Sequence, residues 1–285
     1  MSSSRSAKVR TSIAVPRPRR DPDSGLAGNT GSGDVGTAVP ARERLYRRYA
    51  TTHSGGADQE LTDRLFERDI APFMPDNRDA AILDVGCGQG TLVAALLRAG
   101  YRQARGVDAS PEQVAAAHQA GVVQVEHASL DTALEAVPNR LDVVIAMDLL
   151  EHLTRDELLR TLDLIASALR PGGLLLARTP NGVSPFAGNY RYGDLTHEIC
   201  LTPGSIRQAL RVIGFTTADV HPCVPLVYGA ASGARWLLWK GLSGCYKLAL
   251  GIESGSPRGH VVTQNMLVVA RTPVLVDEPA QHRSG

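Results

Sequence analysis

Three stretches hold the residue types that do chemistry. The first is Asp84-Val85-Gly86-Cys87-Gly88-Gln89-Gly90, an acid followed by glycines at alternate positions. Glycines there allow positive φ and remove the Cβ atoms that would hold a ligand off the backbone, so the turn suits a nucleotide-like cofactor. A small residue is all the turn asks of Cys87. The second stretch is Asp148-x-x-Glu151-His152. Two carboxylates and an imidazole at i, i+3 and i+4 can share one helical face and hold a divalent cation. The third runs from Asn181 to His197 and collects Phe186, Tyr190, Arg191, Tyr192, Asp194 and His197 in a loop too long for a plain connector.

Regular elements must position these groups. Ala81–Val85 reads as a buried strand, and Thr91–Leu97 as an apolar helix start with Gly100 as its stop. The second strand is about Gln103–Val107, ending at Asp108. Ser110-Pro111-Glu112-Gln113 then begins a helix, with Ser as cap, Pro at the first position and Gln three after the cap. Further strands are expected at about Val122–His127, Leu141–Met147, Leu174–Thr179, Thr216–His221 and Asn265–Arg271. Thr154-Arg155-Asp156-Glu157 is a capping box ahead of the stripe Leu158, Leu162, Ile165, Leu169. Another helix runs from Thr202-Pro203 to Gly214. Alternating strands and helices imply a mostly parallel sheet covered on both faces, with ligands at the carboxyl ends of the strands. Asp84, Gly86, Asp108, Ser129 and Asp148 all fall at such ends.

The 285 residues carry a net charge of +1, with 43% hydrophobic and 21% charged residues. A near-neutral chain gives no global argument for nucleic acid. The cysteines Cys87, Cys200, Cys223 and Cys245 are scattered, which suits a reducing compartment. Arg5, Lys8 and Arg10 precede no apolar core, and no apolar run is long enough to span a bilayer, so the expected location is the cytoplasm. Residues 1–40 read as a disordered tail with Arg5, Arg10, Arg17, Arg19 and Arg20, and 275–285 as a second one. Residues 41–78 read as a helical cap. It holds a short helix with Tyr46 and Tyr49 on one face and another from about Gln59 to Phe73. Residues 79–274 form the main domain, with a helical insertion at about 226–262.

Five motifs stand in register over about residues 79 to 180. They are Asp84–Gly90, Gly106-Val107-Asp108-Ala109-Ser110, Leu141-Asp142-Val143-Val144, Glu151-His152-Leu153 and Leu169-Arg170-Pro171-Gly172-Gly173. Together they resemble the class I S-adenosylmethionine-dependent methyltransferases, and in part the ubiquinone-pathway O-methyltransferases. The resemblance implies an α/β, doubly wound sheet of seven strands, mostly parallel, with the last one antiparallel. It implies S-adenosylmethionine as cofactor, held by Asp84, Gly86, Cys87, Gly88, Gly90, Asp108, Ala109, Ser129, Leu130 and Met147. In that reading Asp84 faces the methionine ammonium and Asp108 accepts both ribose hydroxyls. The rival cofactor is a dinucleotide in an oxidoreductase. Its fingerprint spaces the glycines differently, and Asp84 would set a carboxylate beside a pyrophosphate.

The resemblance extends to the acceptor side, where related enzymes carry a His before a Thr/Ser-Pro helix, as His197 precedes Thr202-Pro203. It implies methylation of a small-molecule or glycan-like acceptor, most readily at oxygen, with His197 as general base and His152 as second choice. Tyr190, Tyr192 and Asp194 are the candidate acceptor contacts. Asp148, Glu151 and His152 resemble an acidic metal-binding cluster of the ubiquinone-pathway enzymes. The preferred reading leaves out a metal and has Glu151-His152 simply following the fourth strand. Met147-Asp148-Leu149-Leu150 lacks the Asn/Asp-Pro-Pro-aromatic motif of base-methylating enzymes, so nucleic acid is not the expected partner. The insertion carries Arg235, Trp236, Leu237, Leu238, Trp239 and Lys240 and continues through Tyr246-Lys247-Leu248. It is read as a lid or core helix, with peripheral membrane contact as an alternative. A catalytically idle cofactor-binding partner is the alternative of a different class. The sequence carries nothing on oligomeric state.

Overall fold

A computed structural model describes Leu45 and residues 58–256 and 259–274. The expected tails and the helix around Tyr46 and Tyr49 lie outside the described residues. The chain divides into two units, 1–39 and 40–285, and the description below concerns the second.

The sheet has seven strands in the order β3-β2-β1-β4-β5-β7-β6. These are β1 (Ile82–Val85), β2 (Ala104–Asp108), β3 (Val125–His127), β4 (Leu141–Met147), β5 (Leu169–Pro180), β6 (Thr217–Pro222) and β7 (Asn265–Arg271). Pairings from β3 to β5 are parallel, and β7 runs antiparallel to both β5 and β6. Strand order reverses between β1 and β4, so the switch point lies at the carboxyl end of β1, where the glycine turn begins.

Period-two alternation sends the strand residues to two cores. Ile82, Val143, Ile145, Leu174 and Leu176 meet Leu92 and Leu96 of α2 (Thr91–Arg98) and Phe66 and Ile70 of the N-terminal helical stretch. Leu83, Val85, Val144, Ala146 and Leu175 meet Leu158, Leu162 and Ile165 of α5 (Arg155–Ala168) and Ile206 and Leu210 of α7 (Pro203–Ile213). A smaller cluster joins Val93 to Val114 and Ala117 of α3 (Pro111–Gln119) and to Val125.

Local signals explain most boundaries. Ser110 Oγ accepts from the Gln113 amide at the start of α3, and Thr154 with Glu157 forms the reciprocal capping box of α5. Gly214 ends α7 at φ 105°. The N-terminal stretch expected as one helix is α1 (Gln59–Leu65) continued by a π turn, Phe66–Ile70, and a 3₁₀ turn, Ala71–Phe73. Pro72 has no N–H to donate, so the last turn tightens rather than continuing as α-helix. β3 is shorter than the expected Val122–His127. Gly121 at φ 85° turns the chain off α3, and the Val122 amide still donates to Ala117 in that exit. β5 begins earlier than expected, because Leu169 already pairs with Leu141 ahead of the Pro-Gly-Gly turn. α4 (Leu130–Glu135) and α6 (Ala187–Arg191) are short, and α8 (Ala230–Ser254) is the insertion helix.

Candidate functional site

The glycine turn is built by backbone geometry that only glycine adopts at low cost. Gly86, Gly88 and Gly90 all have positive φ, at 70°, 54° and 72°. The amides of Gly86 and Cys87 both donate to the Val107 carbonyl, at 2.9 and 3.1 Å, which locks the turn to β2. A Cβ on Gly88 would meet nothing within 4 Å, so this edge faces open space. A Cβ on Gly90 would meet Val125 Cγ2 at 2.7 Å, so Gly90 is required by packing.

Asp108 spans the two motifs. One carboxylate oxygen accepts from the Gly88 amide and the other from the Ser110 amide, each at 2.8 Å. Both bonds arrive from backbone, and each oxygen keeps a lone pair for a diol. Asp84 is buried at the carboxyl end of β1. Burial, and then the charge of Asp108, push its carboxyl up to about 8. A cation beside it would restore ionisation, which fits an ammonium group. Cys87 packs its Sγ where a Cβ on Gly106 would stand, at 2.6 Å. Burial, then the charges of Asp84 and Asp108, push its thiol pKa well up, so it stays an unreactive thiol.

Two adjoining cavities flank the turn. One, of 470 Å³, is lined by Gly86, Gly88, Asp108, Ala109, Leu130 and His152 among others. The second, of 260 Å³, is lined by Asp84, Cys87, Gln89, Met147, Arg178 and Gln113, among others. Gln113 borders both, and its Oε1 is buried without a hydrogen-bond partner. Such an oxygen costs free energy unless a ligand donor reaches it. Sequence reasoning saw Gln113 only as a residue near a helix cap. Its place five residues after Asp108, in the first turn of the helix that follows β2, was the available signal. An orphaned acceptor, a raised carboxyl and a paired-amide Asp108 around one cleft fit the amino-acid and ribose parts of S-adenosylmethionine.

The remaining cofactor candidates divide. Ser129 caps α4, with its Oγ accepting from the Thr132 amide at 3.1 Å. Gly90 lies under Val125. Met147 and Leu130 line the cavities.

The second stretch is rearranged. Asp148 adopts φ 52°, a conformation that Asp tolerates better than most residues, and its carboxylate pairs with Arg178. Glu151 and His152 lie in a buried 3₁₀ turn, Leu150–His152. Asp148 is therefore not on one face with them. Instead His197 comes in from the loop, and ligand atoms of Glu151, His152 and His197 lie within 4.8 Å of one another. The His152 and His197 rings meet edge to face at 4.8 Å. Glu151 accepts from the Thr179 hydroxyl at 3.0 Å, and burial followed by the Asp148 charge raises its carboxyl to about 8.

A hydrogen-bond chain sets the tautomer of His152. Thr196 Oγ1 donates to Asp194 at 2.7 Å and so must accept from His152 Nδ1 at 2.9 Å. The lone pair of neutral His152 is then on Nε2. Burial, and next the neighbouring His197, lower its pKa, which favours the neutral ring. His197 Nδ1 bonds the Tyr190 carbonyl at 2.7 Å. Loop and turn are cross-braced, because the amides of Glu198 and Ile199 donate to the Glu151 carbonyl and Asn181 Nδ2 donates to the carbonyls of Val261 and Thr263.

Of the acceptor candidates, Asp194 supports His152, Tyr192 is 79% exposed, and Tyr190 lines a third cavity of 550 Å³. That cavity also presents Leu65, Arg68, Arg178, Phe186 and Trp239, and shares Leu65 and Arg178 with the cavity at Asp84.

A family model described as a methyltransferase domain matches residues 57–220. The ubiquinone biosynthesis O-methyltransferase of Methylobacterium sp. (strain 4-46) is 32% identical over 170 residues, 54% of this chain and 66% of that protein. The protein of the same description from Methylobacterium nodulans is 32% identical over 186 residues, 59% of this chain and 71% of its own length. A tRNA U34 carboxymethyltransferase of Cellvibrio japonicus is 33% identical over 118 residues, 39% of this chain and 35% of that protein. Among solved structures, a SAM dependent methyltransferase from Archaeoglobus fulgidus superposes with TM-score 0.56 at 18% identity, covering 80% of this chain and 99% of that one. The putative methyltransferase in complex with the Haloferax volcanii Trm112 activator gives 0.58 at 19% identity, covering 80% and 97%. These two likenesses concern the fold.

Proposed function

The chain belongs to the class I S-adenosylmethionine-dependent methyltransferases, and from that premise we propose that it methylates a hydroxyl of a small-molecule or glycan-like acceptor. Residues 79–274 are the catalytic domain in this proposal, capped by the helices before it. The observation that carries the reading is the pair His152 and His197 beside the cofactor cavity, with the proton of His152 directed to Nδ1 by Thr196 and Asp194. The relatives named as O-methyltransferases add support.

S-adenosylmethionine brings an activated sulfonium methyl, so the chain's own tasks are alignment and removal of the acceptor proton. Asp84, Asp108, Gln113 and the open backbone edge of the turn at Gly88 hold the donor. The cavity bounded by Tyr190, Phe186, Trp239, Arg68 and Arg178 admits the acceptor. Proton acceptance falls to the histidine pair. His152 lines the cofactor cavity, and His197, first choice from the sequence, meets its ring edge-on. The histidine pair would take up the hydroxyl proton as the acceptor oxygen gains the methyl, with S-adenosylmethionine supplying that methyl and its sulfur keeping the electron pair of the broken bond.

Glu151, His152 and His197 also support a second reading, a bound divalent cation. Burial, and then the Asp148 charge, raise the Glu151 carboxyl and favour its neutral form, which opposes a cation there. Turnover that survives exhaustive chelation favours the base reading. The defining experiment screens hydroxylated acceptors for a methyl mass shift. His152→Ala and His197→Ala should each lower kcat roughly a hundredfold or more, with cofactor affinity kept. Unchanged kcat in both variants refutes the base assignment. Cofactor binding without turnover on any acceptor supports the idle-partner alternative.

A further inference from the structure

The helix α8 is built inside out for a water-soluble surface. Its sheltered side chains are those of Ser232, Trp236, Trp239, Ser243, Tyr246 and Leu250, spaced alternately by four and three, which marks one face. Only Ser232 and Gly251 are buried. At 3.6 residues per turn, the opposite arc of about 140° holds Leu237, Leu248, Ile252, Cys245, Leu238 and Leu242, with alanines and Gly241 between them. Exposure on this arc is 64% for Leu237, 75% for Leu238 and 76% for Ile252. No charged residue falls within it. Lys240 and Lys247 lie on one flank, between the sheltered stripe and the arc and parted from the arc by Gly233, Gly244 and Gly251, and Arg235 borders the other side with Glu253, the helix's only acid. Lys240 Nζ rests 4.4 Å over the Trp236 ring, which holds its charge at the flank.

We propose that this outer arc docks on an anionic membrane surface, with the helix lying in the interface. Two features select that occupant. The apolar arc is flanked on both sides by cations, three against one acid, which complements lipid phosphates and not another copy of the same positive helix. The helix is also about 37 Å long but too polar overall to insert: no helix among the described residues is long and apolar enough to cross a bilayer. The inward stripe, with Trp239 against Phe186 at 6.3 Å, anchors it to the rest of the protein.

The test uses the full chain and sealed vesicles of phosphatidylcholine alone or with added phosphatidylglycerol. Wild type should float with the anionic vesicles, weakly with the neutral ones, and less as salt is raised. Lys240→Gln/Lys247→Gln should weaken partitioning roughly twenty-five-fold, about fivefold for each charge. Leu238→Asp/Leu248→Asp should abolish it, with far-ultraviolet circular dichroism unchanged because both side chains point to solvent. A dye on Cys245, in a Cys200→Ser background, should be quenched by a lipid-borne quencher. Absence of flotation on anionic vesicles overturns the proposal, as does flotation of the double aspartate variant equal to wild type. A concentration-dependent dimer that the leucine variant dissolves, without vesicle binding, assigns the arc to a second copy and overturns it equally.

Discussion

Asp84→Asn separates the cost of the site from its use. The Asp84 carboxyl, ordinarily at 3.8, is pushed up to about 8 by burial and by Asp108. The folded protein therefore keeps this proton up to about pH 8, while the unfolded chain releases it near pH 4. Between those values the folded state holds more protons, so stability falls as pH rises. Integrated from 3.8 to pH 7 at 1.36 kcal/mol per pH unit, the penalty reaches about 4 kcal/mol as an upper bound. Asparagine has the same shape and no charge to desolvate. The ligand-free variant should melt higher at pH 7, by up to roughly 8 °C, and its Tm should fall less steeply between pH 4 and 8, the remaining slope belonging to Glu151, whose carboxyl burial also raises to about 8. The same change removes a carboxylate facing the ammonium, so S-adenosylhomocysteine should bind roughly tenfold to a hundredfold more weakly. Scanning fluorimetry across pH and titration calorimetry read both arms. A variant that melts lower at pH 7 and binds as wild type does refutes the reasoning.

Three further outcomes follow from particular contacts. The acid limb of the pH–kcat profile should lie below the ordinary histidine value of 6.5, because burial and His197 lower the His152 pKa; a limb above it contradicts a neutral His152 base. Gly106→Ala should destabilise by about 1–3 kcal/mol in urea, since its Cβ would meet Cys87 Sγ at 2.6 Å and Val93 Cγ2 at 2.8 Å, and adding Cys87→Ala should recover part of the loss. Gln113→Leu should stabilise the ligand-free protein by about 1–3 kcal/mol, by removing the orphaned Oε1, and weaken S-adenosylhomocysteine binding in the same calorimeter.

Where residues carry their own instructions, the fold was legible. Leu141–Met147 and Asn265–Arg271 read as strands to the residue, because each is an apolar run between clear breakers. The caps at Ser110, Thr154 and Thr202 and the stop at Gly214 work through contacts one turn away. Three of the five motifs, Asp84–Gly90, Gly106–Ser110 and Glu151–Leu153, drew the cofactor cleft because they sit at or just past the carboxyl ends of β1, β2 and β4. What stayed hidden depends on long-range contacts. Nothing local says that Asp148 takes φ 52° and turns to Arg178, or that Thr196 reaches His152 across 44 positions. Asp194, expected as an acceptor contact, accepts from the Thr196 hydroxyl and lies 3.9 Å from His197 Nε2, a link that no local pattern announces. Gln113 became visible only once two cavities met at its amide. The apolar character of 230–254 was plain, but which side faces solvent was fixed by the body it lies on.

Titration calorimetry with S-adenosylhomocysteine tests most directly whether a donor is held between the glycine turn and Asp108. The prediction is saturable binding at one site per chain, lost or weakened at least roughly tenfold in Asp108→Ala, whose carboxylate bonds the Gly88 and Ser110 amides. Absence of binding to the wild-type chain, or equal affinity in the Asp108→Ala variant, would contradict it.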